Sequence, residues 1–138
     1  MGKMIGVILA AHGSMAASAL ELAELLHGSA ERVECISFRP GDSLEQLLER
    51  YQAAAAALGT EQGILILTDL KGGSPCNVAT LLQKTMKNVR TVYGFNVPML
   101  LQAFEGRTRT EDLDELTEDV LGIGKFAIGA IEFTGEES

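Results

Sequence analysis

Two stretches leave this chain little freedom in how it can fold. "MIGVILA" at Met4–Ala10 and "GILILT" at Gly63–Thr68 are unbroken apolar runs of strand length, and helical periodicity follows each. A strand that is apolar at every position must be covered on both faces. Two further strands, "RVECISF" (Arg32–Phe38) and "VRTVYGF" (Val89–Phe95), mix polar with apolar residues, as strands nearer a sheet edge do. Strands that alternate with helices form a parallel sheet with helices on both faces. The apolar first and third strands then belong in the middle. This predicts an α/β fold of three layers with strand order 2-1-3-4, and rejects 3-2-1-4, which pushes the third strand outward.

The helices carry their own signals. In the first, Met15, Ala19, Leu22 and Leu26 fall on one stripe, Ser18, Glu21 and Glu24 fall off it, and Gly28 is placed to end it. In the second, Ser43 and Gln46 have capping-box spacing. Leu44, Leu47, Leu48, Tyr51, Ala55 and Leu58 form the stripe expected to be buried, and Gly59 closes the helix. A third helix is predicted from Pro75 to Lys87, with Ser74 as its N-cap. Short helices follow over 98–105 and 110–121. "KFAIGAIEF" (Lys125–Phe133) reads as a last strand, and 134–138 as a loose acidic tail. The 138 residues fit a single domain spanning 1–138.

Composition narrows the function. With 11 Lys+Arg against 19 Asp+Glu the chain carries a formal charge of −8, which disfavours nucleic acid and anionic membrane surfaces as general partners. Cys35 and Cys76 have neither CxxC spacing nor a histidine cluster beside them, so the expectation is reduced thiols, no metal and no disulfide framework. The apolar runs are too short to span a bilayer, and residues 1–11 lack a convincing cleavage pattern, so a cytoplasmic protein is expected.

In a 2-1-3-4 sheet the order reverses between strands 1 and 3, and ligands bind outside the carboxyl ends at that point. His12, Gly13 and Ser14 follow strand 1; Asp69, Lys71, Gly72, Gly73 and Ser74 follow strand 3. His12 and Asp69 should face each other there. A carboxylate that accepts a hydrogen bond from one ring nitrogen fixes the tautomer, frees the other nitrogen as a nucleophile, and stabilises the positive ring formed on attack. "GGSP" opens a helix, whose N-terminus favours phosphate oxygens; the glycines permit close approach and the Ser74 hydroxyl adds a donor. Each piece has an ordinary structural reading too, since Ser-Pro commonly starts helices and an aspartate commonly caps its own turn. Their convergence at one switch point is what indicates a phosphoryl-carrying histidine. Lys71 reads as a solvated loop charge, Asn96 as a turn before Pro98, and His27 as a structural residue at a helix end.

The strand ending in "AHG" (10–13), "FRPGDSLEQL" (38–47), "LTDLKGGSPCNVA" (67–79) and "GFNVPML" (94–100) together resemble the IIA component of the mannose-family sugar phosphotransferase system. The likeness runs over about residues 4–105. It implies that His12 takes a phosphoryl group at Nε2 from the phosphocarrier HPr, with Asp69 holding the tautomer and Ser74 beside the phosphoryl group. It also implies transfer to a IIB component and thence to sugar entering through the IIC/IID membrane permease. Gly13, Gly72, Gly73 and Ser74 would line the phosphoryl site, with no cofactor. The family further implies a homodimer that exchanges an antiparallel edge strand, which here falls on Lys125–Phe133. A phosphohistidine subunit of a dihydroxyacetone kinase pathway, or a regulatory IIA-like domain, would use the same site chemistry. "AHGS" after a first strand also resembles small tetrapyrrole metal chelatases, but those need a second histidine on a later strand, and strands 3 and 4 end in Thr68-Asp69 and Phe95-Asn96.

Overall fold

The computed structural model describes residues 4–133 and Gly135. The loose tail expected at 134–138 thus lies, Gly135 apart, outside the described residues. The elements are β1 (Gly6–His12), α1 (Met15–His27), β2 (Val33–Phe38), α2 (Leu44–Leu58), β3 (Ile64–Thr68), α3 (Ser74–Thr85), β4 (Val89–Val92), α4 (Val97–Gly106) and α5 (Leu113–Phe126). The strands lie in the predicted order β2-β1-β3-β4, and every pair is parallel. No helix among the described residues is long and apolar enough to cross a membrane.

Alternation along the central strands sorts the core into two layers. Val7, Leu9 and Ala11 of β1, with Leu65 and Leu67 of β3, face α1, α4 and α5. Ile8 and Ala10, with Ile64 and Ile66, face α2 and α3. All nine are fully buried, as their unbroken apolar runs require. The Ser43 capping box forms as predicted, with Gln46 N–H donating to Ser43 Oγ and Ser43 N–H to Gln46 Oε1.

Tertiary packing changes four expectations. First, α1 docks through Ala16 and Ala23, with Ala19 and Leu20 beside them, whereas Met15, Leu22 and Leu26 of the predicted stripe are exposed. Small residues let the helix lie close to the sheet, although the predicted stripe carries the larger apolar side chains. Second, Leu44 at the start of α2 is exposed. Third, Ser74 is not the N-cap of α3. Gly73 occupies that position, Ser74 is the first helical residue, and the helix ends at Thr85. Fourth, the strand expected at Lys125–Phe133 does not form in the single chain. Lys125 and Phe126 complete α5, and 127–133 carries no strand. A strand needs an edge to pair with, and this segment pairs with none of the described ones.

A buried arginine ties the lower end of the sheet together. Arg107, just after α4, donates from Nη1 to the carbonyls of Ile5 (3.0 Å) and Arg32 (3.2 Å) and from Nη2 to that of Glu31. Its guanidinium lies 5.3 Å over the Phe104 ring. Burial, and secondarily Arg32, pull its pKa down to about 10, partly offset by Glu31, so it stays charged at neutral pH. Arg107→Met strips three carbonyls of a charged donor. It should lower unfolding free energy in urea by about 2–3 kcal/mol, and an unchanged urea midpoint would refute this tie.

Candidate functional site

The register of the parallel ladder places the site. His12 is the last residue of β1 and lies opposite Phe38 of β2, while Ala10 lies opposite Thr68 of β3. The chain leaving β3 therefore passes directly beside His12. Gly13 turns away with φ +63°, and its N–H donates to the Phe38 carbonyl at 2.9 Å. Its contribution is thus the left-handed turn that clears the ring, because its donor is already engaged. The Phe38 ring meets the imidazole edge-on, with centroids 6.0 Å apart.

Asp69 sits where the switch-point argument puts it. Its Oδ2 lies 2.8 Å from His12 Nδ1 and also accepts the His12 backbone N–H at 3.0 Å. The histidine side chain is 44% exposed and the aspartate only 12%, so the carboxylate is sheltered and the ring is reachable. Burial opposes ionisation of Asp69. The hydrogen bonds from the His12 backbone and ring, and the attraction of the ring, outweigh it and hold the carboxyl below its usual range. Asp69 therefore stays ionised through neutral pH. Its contact with His12 supports the fold above the ordinary aspartate pKa and is lost as pH falls through the lower folded value. A carboxylate can only accept, so Nδ1 is the ring nitrogen that donates to Asp69, and Nε2 is the one turned away from it.

The other edge of the ring faces the start of α3. Gly73 has φ −75° and ψ 163°, a conformation open to any residue. What requires glycine is space, because a Cβ there would lie 2.8 Å from His12 Cε1 and 3.5 Å from Nε2. The free nitrogen thus abuts the N-terminus of a helix whose cap supplies no side-chain acceptor. Gly73 N–H is spent on the Leu70 carbonyl. The N–H groups of Ser74 and Cys76, in the first turn, have no intrahelical partner. Gly72 makes the turn with φ +85°, and its carbonyl accepts from Asn77 Nδ2 at 3.0 Å. From α2, the neighbouring helix of the same layer, the buried Tyr51 donates its hydroxyl to the Pro75 carbonyl at 2.6 Å, fixing the first turn of α3.

The structure brings together His12, Asp69, Gly13, Gly72, Gly73 and Ser74, and sets the remaining candidates apart. Lys71 stacks its ammonium 5.3 Å from the centre of the Tyr93 ring. Asn96 caps α4, accepting from Met99 N–H and donating to the Gly124 carbonyl. His27 ends α1, 3.6 Å from Glu105 and near Phe104, while Gly28 closes the turn with φ +101°. Sequence reasoning missed Tyr51 and Phe38 as supports of the site. Tyr51 read only as one more core position at helical spacing, and nothing in the pattern distinguishes a buried tyrosine whose hydroxyl reaches another helix.

The family model for the IIA component of the fructose phosphotransferase system, mannose-type IIA, matches residues 6–121. The chain belongs to the mannose-type IIA family of the sugar phosphotransferase system. The mannose-specific EIIAB component of Escherichia coli is 34% identical over 128 residues, which is 93% of this chain and 40% of that protein. The chain thus spans about two fifths of that curated relative. A fructose-specific EIIA component of Bacillus subtilis is 28% identical, covering 75% of this chain and 71% of its own. Among solved structures, phosphotransferase component EIIA from Streptococcus agalactiae superposes with a TM-score of 0.86 at 32% identity, covering 92% of this chain and 97% of its own. A mannose/sorbose-specific IIA subunit from Enterococcus faecalis gives the same TM-score at 31% identity, covering 94% and 96%. The quoted motifs and these likenesses lead to the same family, and the strand order agrees with it.

Proposed function

We propose that this IIA chain is a phosphoryl carrier working through a transient phosphohistidine on His12. The observation that carries the reading is the 2.8 Å contact of Asp69 Oδ2 with His12 Nδ1, which leaves Nε2 as the nucleophile beside a helix N-terminus. The Nε2 lone pair attacks the phosphorus of phospho-HPr. The donor's P–N bond breaks, and its electron pair returns to the donor nitrogen. The imidazole of His12 becomes cationic while Nδ1–H stays bonded to Asp69, which stabilises that charge. Ser74, the first-turn N–H groups and the helix dipole receive the phosphoryl oxygens, and Gly72 and Gly73 keep side chains out of their way. The same steps in reverse, toward a IIB component, pass the group on to sugar crossing the IIC/IID permease. The chain acts as one domain, in the cytoplasm, and needs no cofactor.

We infer further that the chain forms the homodimer its family resemblance implies, with the segment after α5 exchanged onto the β4 edge of a second copy. Two features of this chain favour that arrangement. β4 pairs only with β3 among the described residues. Phe126, Ile128, Ile131 and Phe133 are 74–99% exposed in the isolated chain, an unusual cost for four large apolar side chains.

The test is phosphorylation by phosphoenolpyruvate, enzyme I and HPr, read by intact mass and acid lability. Wild type should gain one acid-labile phosphoryl group, and no transfer from competent donors would refute the reading. Asp69→Ala should keep the fold by circular dichroism and slow transfer about 10-fold or more. Transfer at the wild-type rate would remove the tautomer argument.

A further inference from the structure

The first turn of α3 receives the phosphoryl oxygens in the proposed chemistry, yet its own sequence does little to hold it. Its N-cap is Gly73, which has no side chain to cap with. Pro75 has no N–H to give, so the free donors of this turn are the N–H groups of Ser74 and Cys76. Local bonds tie the turn to its own loop: Gly73 N–H donates to the Leu70 carbonyl, and Asn77 Nδ2 to that of Gly72. Among the described residues, a single side chain from another element hydrogen-bonds to it. Tyr51 of α2 donates its hydroxyl to the Pro75 carbonyl at 2.6 Å.

That hydroxyl is itself held in place. Tyr51 is fully buried in the layer that also holds Leu47, Ala54 and Ala55 of its own helix. Its neighbour Arg50 ties α2 to the sheet, donating from Nη1 to the Ser37 carbonyl of β2 at 2.6 Å. Burial pushes the Tyr51 phenol well above its ordinary pKa, and Cys76 and Asp69 push it the same way. The hydroxyl therefore keeps its proton across neutral pH and stays a donor.

The bond it makes reaches the site through one peptide group, because the Pro75 carbonyl and the Cys76 N–H are its two ends. In a helix that carbonyl already accepts the N–H four residues on, that of Ala79. Tyr51 thus supplies a second bond rather than satisfying an orphan. Hydrogen bonds in a chain polarise one another, so a carbonyl that accepts one makes the N–H of its own peptide a stronger donor. The Ser74 N–H shares its peptide with the Gly73 carbonyl, which accepts Asn77 N–H at 2.9 Å and no side chain among the described residues. Of the two free donors at the helix end that abuts His12, only Cys76 N–H is reinforced from behind.

We infer that Tyr51 is a positioning residue of phosphoryl transfer, whose hydroxyl acts through the Pro75–Cys76 peptide to fix and strengthen an N–H that receives a phosphoryl oxygen on His12. This rests on the carrier function proposed above and adds to it a line of hydrogen bonds from Tyr51 Oη to the phosphoryl group. No proton passes along that line. The only covalent bonds that form and break are the P–N bonds of His12 and of the donor or acceptor histidine or partner.

Tyr51→Phe keeps the ring and removes only the hydroxyl. With phospho-HPr as donor, its maximal transfer rate should fall about 10-fold, the worth of one ordinary hydrogen bond. The half-saturating phospho-HPr concentration should stay within about 2-fold of wild type, since a buried side chain is not part of the docking surface. In amide NMR spectra, phosphorylation of the wild type should move Cys76 N–H downfield, and this shift should shrink in Tyr51→Phe while that of Ser74 N–H is retained. Leu58→Ala controls for lost stability. Leu58 lies on the same helix but packs against Gly6 at the far end of β1; its loss should lower the melting temperature and leave the maximal rate intact. A Tyr51→Phe protein that transfers at the wild-type rate, or is slowed no more than Leu58→Ala, would overturn the inference and leave the carrier function standing. If Tyr51→Phe does not fold by circular dichroism, the wild type decides: Cys76 N–H should move further downfield on phosphorylation than Ser74 N–H, and an equal or smaller shift would overturn the inference. A wild-type chain that takes no phosphoryl group from competent donors would overturn both.

Discussion

His12→Ala is expected to take up no phosphoryl group from phospho-HPr, while His27→Ala is expected to be phosphorylated like wild type. The two residues share the local sequence His-Gly-Ser, so short-range chemistry cannot separate them. Position does. His12 ends a central strand with Nδ1 committed to a sheltered carboxylate and Nε2 against a helix N-terminus. His27 ends a helix beside an exposed glutamate at 3.6 Å, with no helix N-terminus among its contacts. Intact mass before and after brief acid treatment reads the result directly. Phosphorylation surviving in His12→Ala, or lost in His27→Ala, would move the reactive centre elsewhere.

Gly73→Ala should depress transfer about 100-fold while the chain stays folded. The backbone at Gly73 suits alanine, so the substitution carries no conformational strain. The added methyl, however, would meet His12 Cε1 at 2.8 Å and the Leu70 carbonyl at 3.3 Å. The ring has to tilt, which moves Nε2 away from the α3 N–H groups or stretches the Asp69 bond. Gly72→Ala is the informative contrast. Its added Cβ meets nothing within 4 Å, but its φ of +85° is strained for alanine. It should cost about 1 kcal/mol of stability with a much smaller effect on rate. Single-turnover transfer and thermal melts of both variants separate crowding from strain. A Gly73→Ala protein that transfers at the wild-type rate would show that the ring does not depend on that gap.

Much of this was legible without coordinates, because the relevant signals are local or follow from topology. Continuous against mixed apolar runs distinguished central from edge strands, and with that order His12 and Asp69 had to meet. The glycine-rich start of α3 was equally plain. The misreadings share a cause. Choosing between the two apolar stripes of α1 depends on how close the helix lies to the sheet, and a row of alanines permits the closer approach. Placing the N-cap at Ser74 followed the usual preference for serine before proline. The chain instead spends Gly73 there, because the imidazole occupies the space a side chain would need. The C-terminal segment was read as a strand from its composition, but pairing is a property of two strands, and only one is present in the isolated chain.

The sequence by itself determined the strand order and the meeting of His12 with Asp69, since hydrophobic burial and strand connectivity allow few alternatives, and its motifs pointed to the family. The tertiary structure alone decided which face of α1 is buried and that Tyr51 of the neighbouring α2 braces α3. Those outcomes depend on distances of a few tenths of an ångström between residues far apart in the chain, and no periodicity records them.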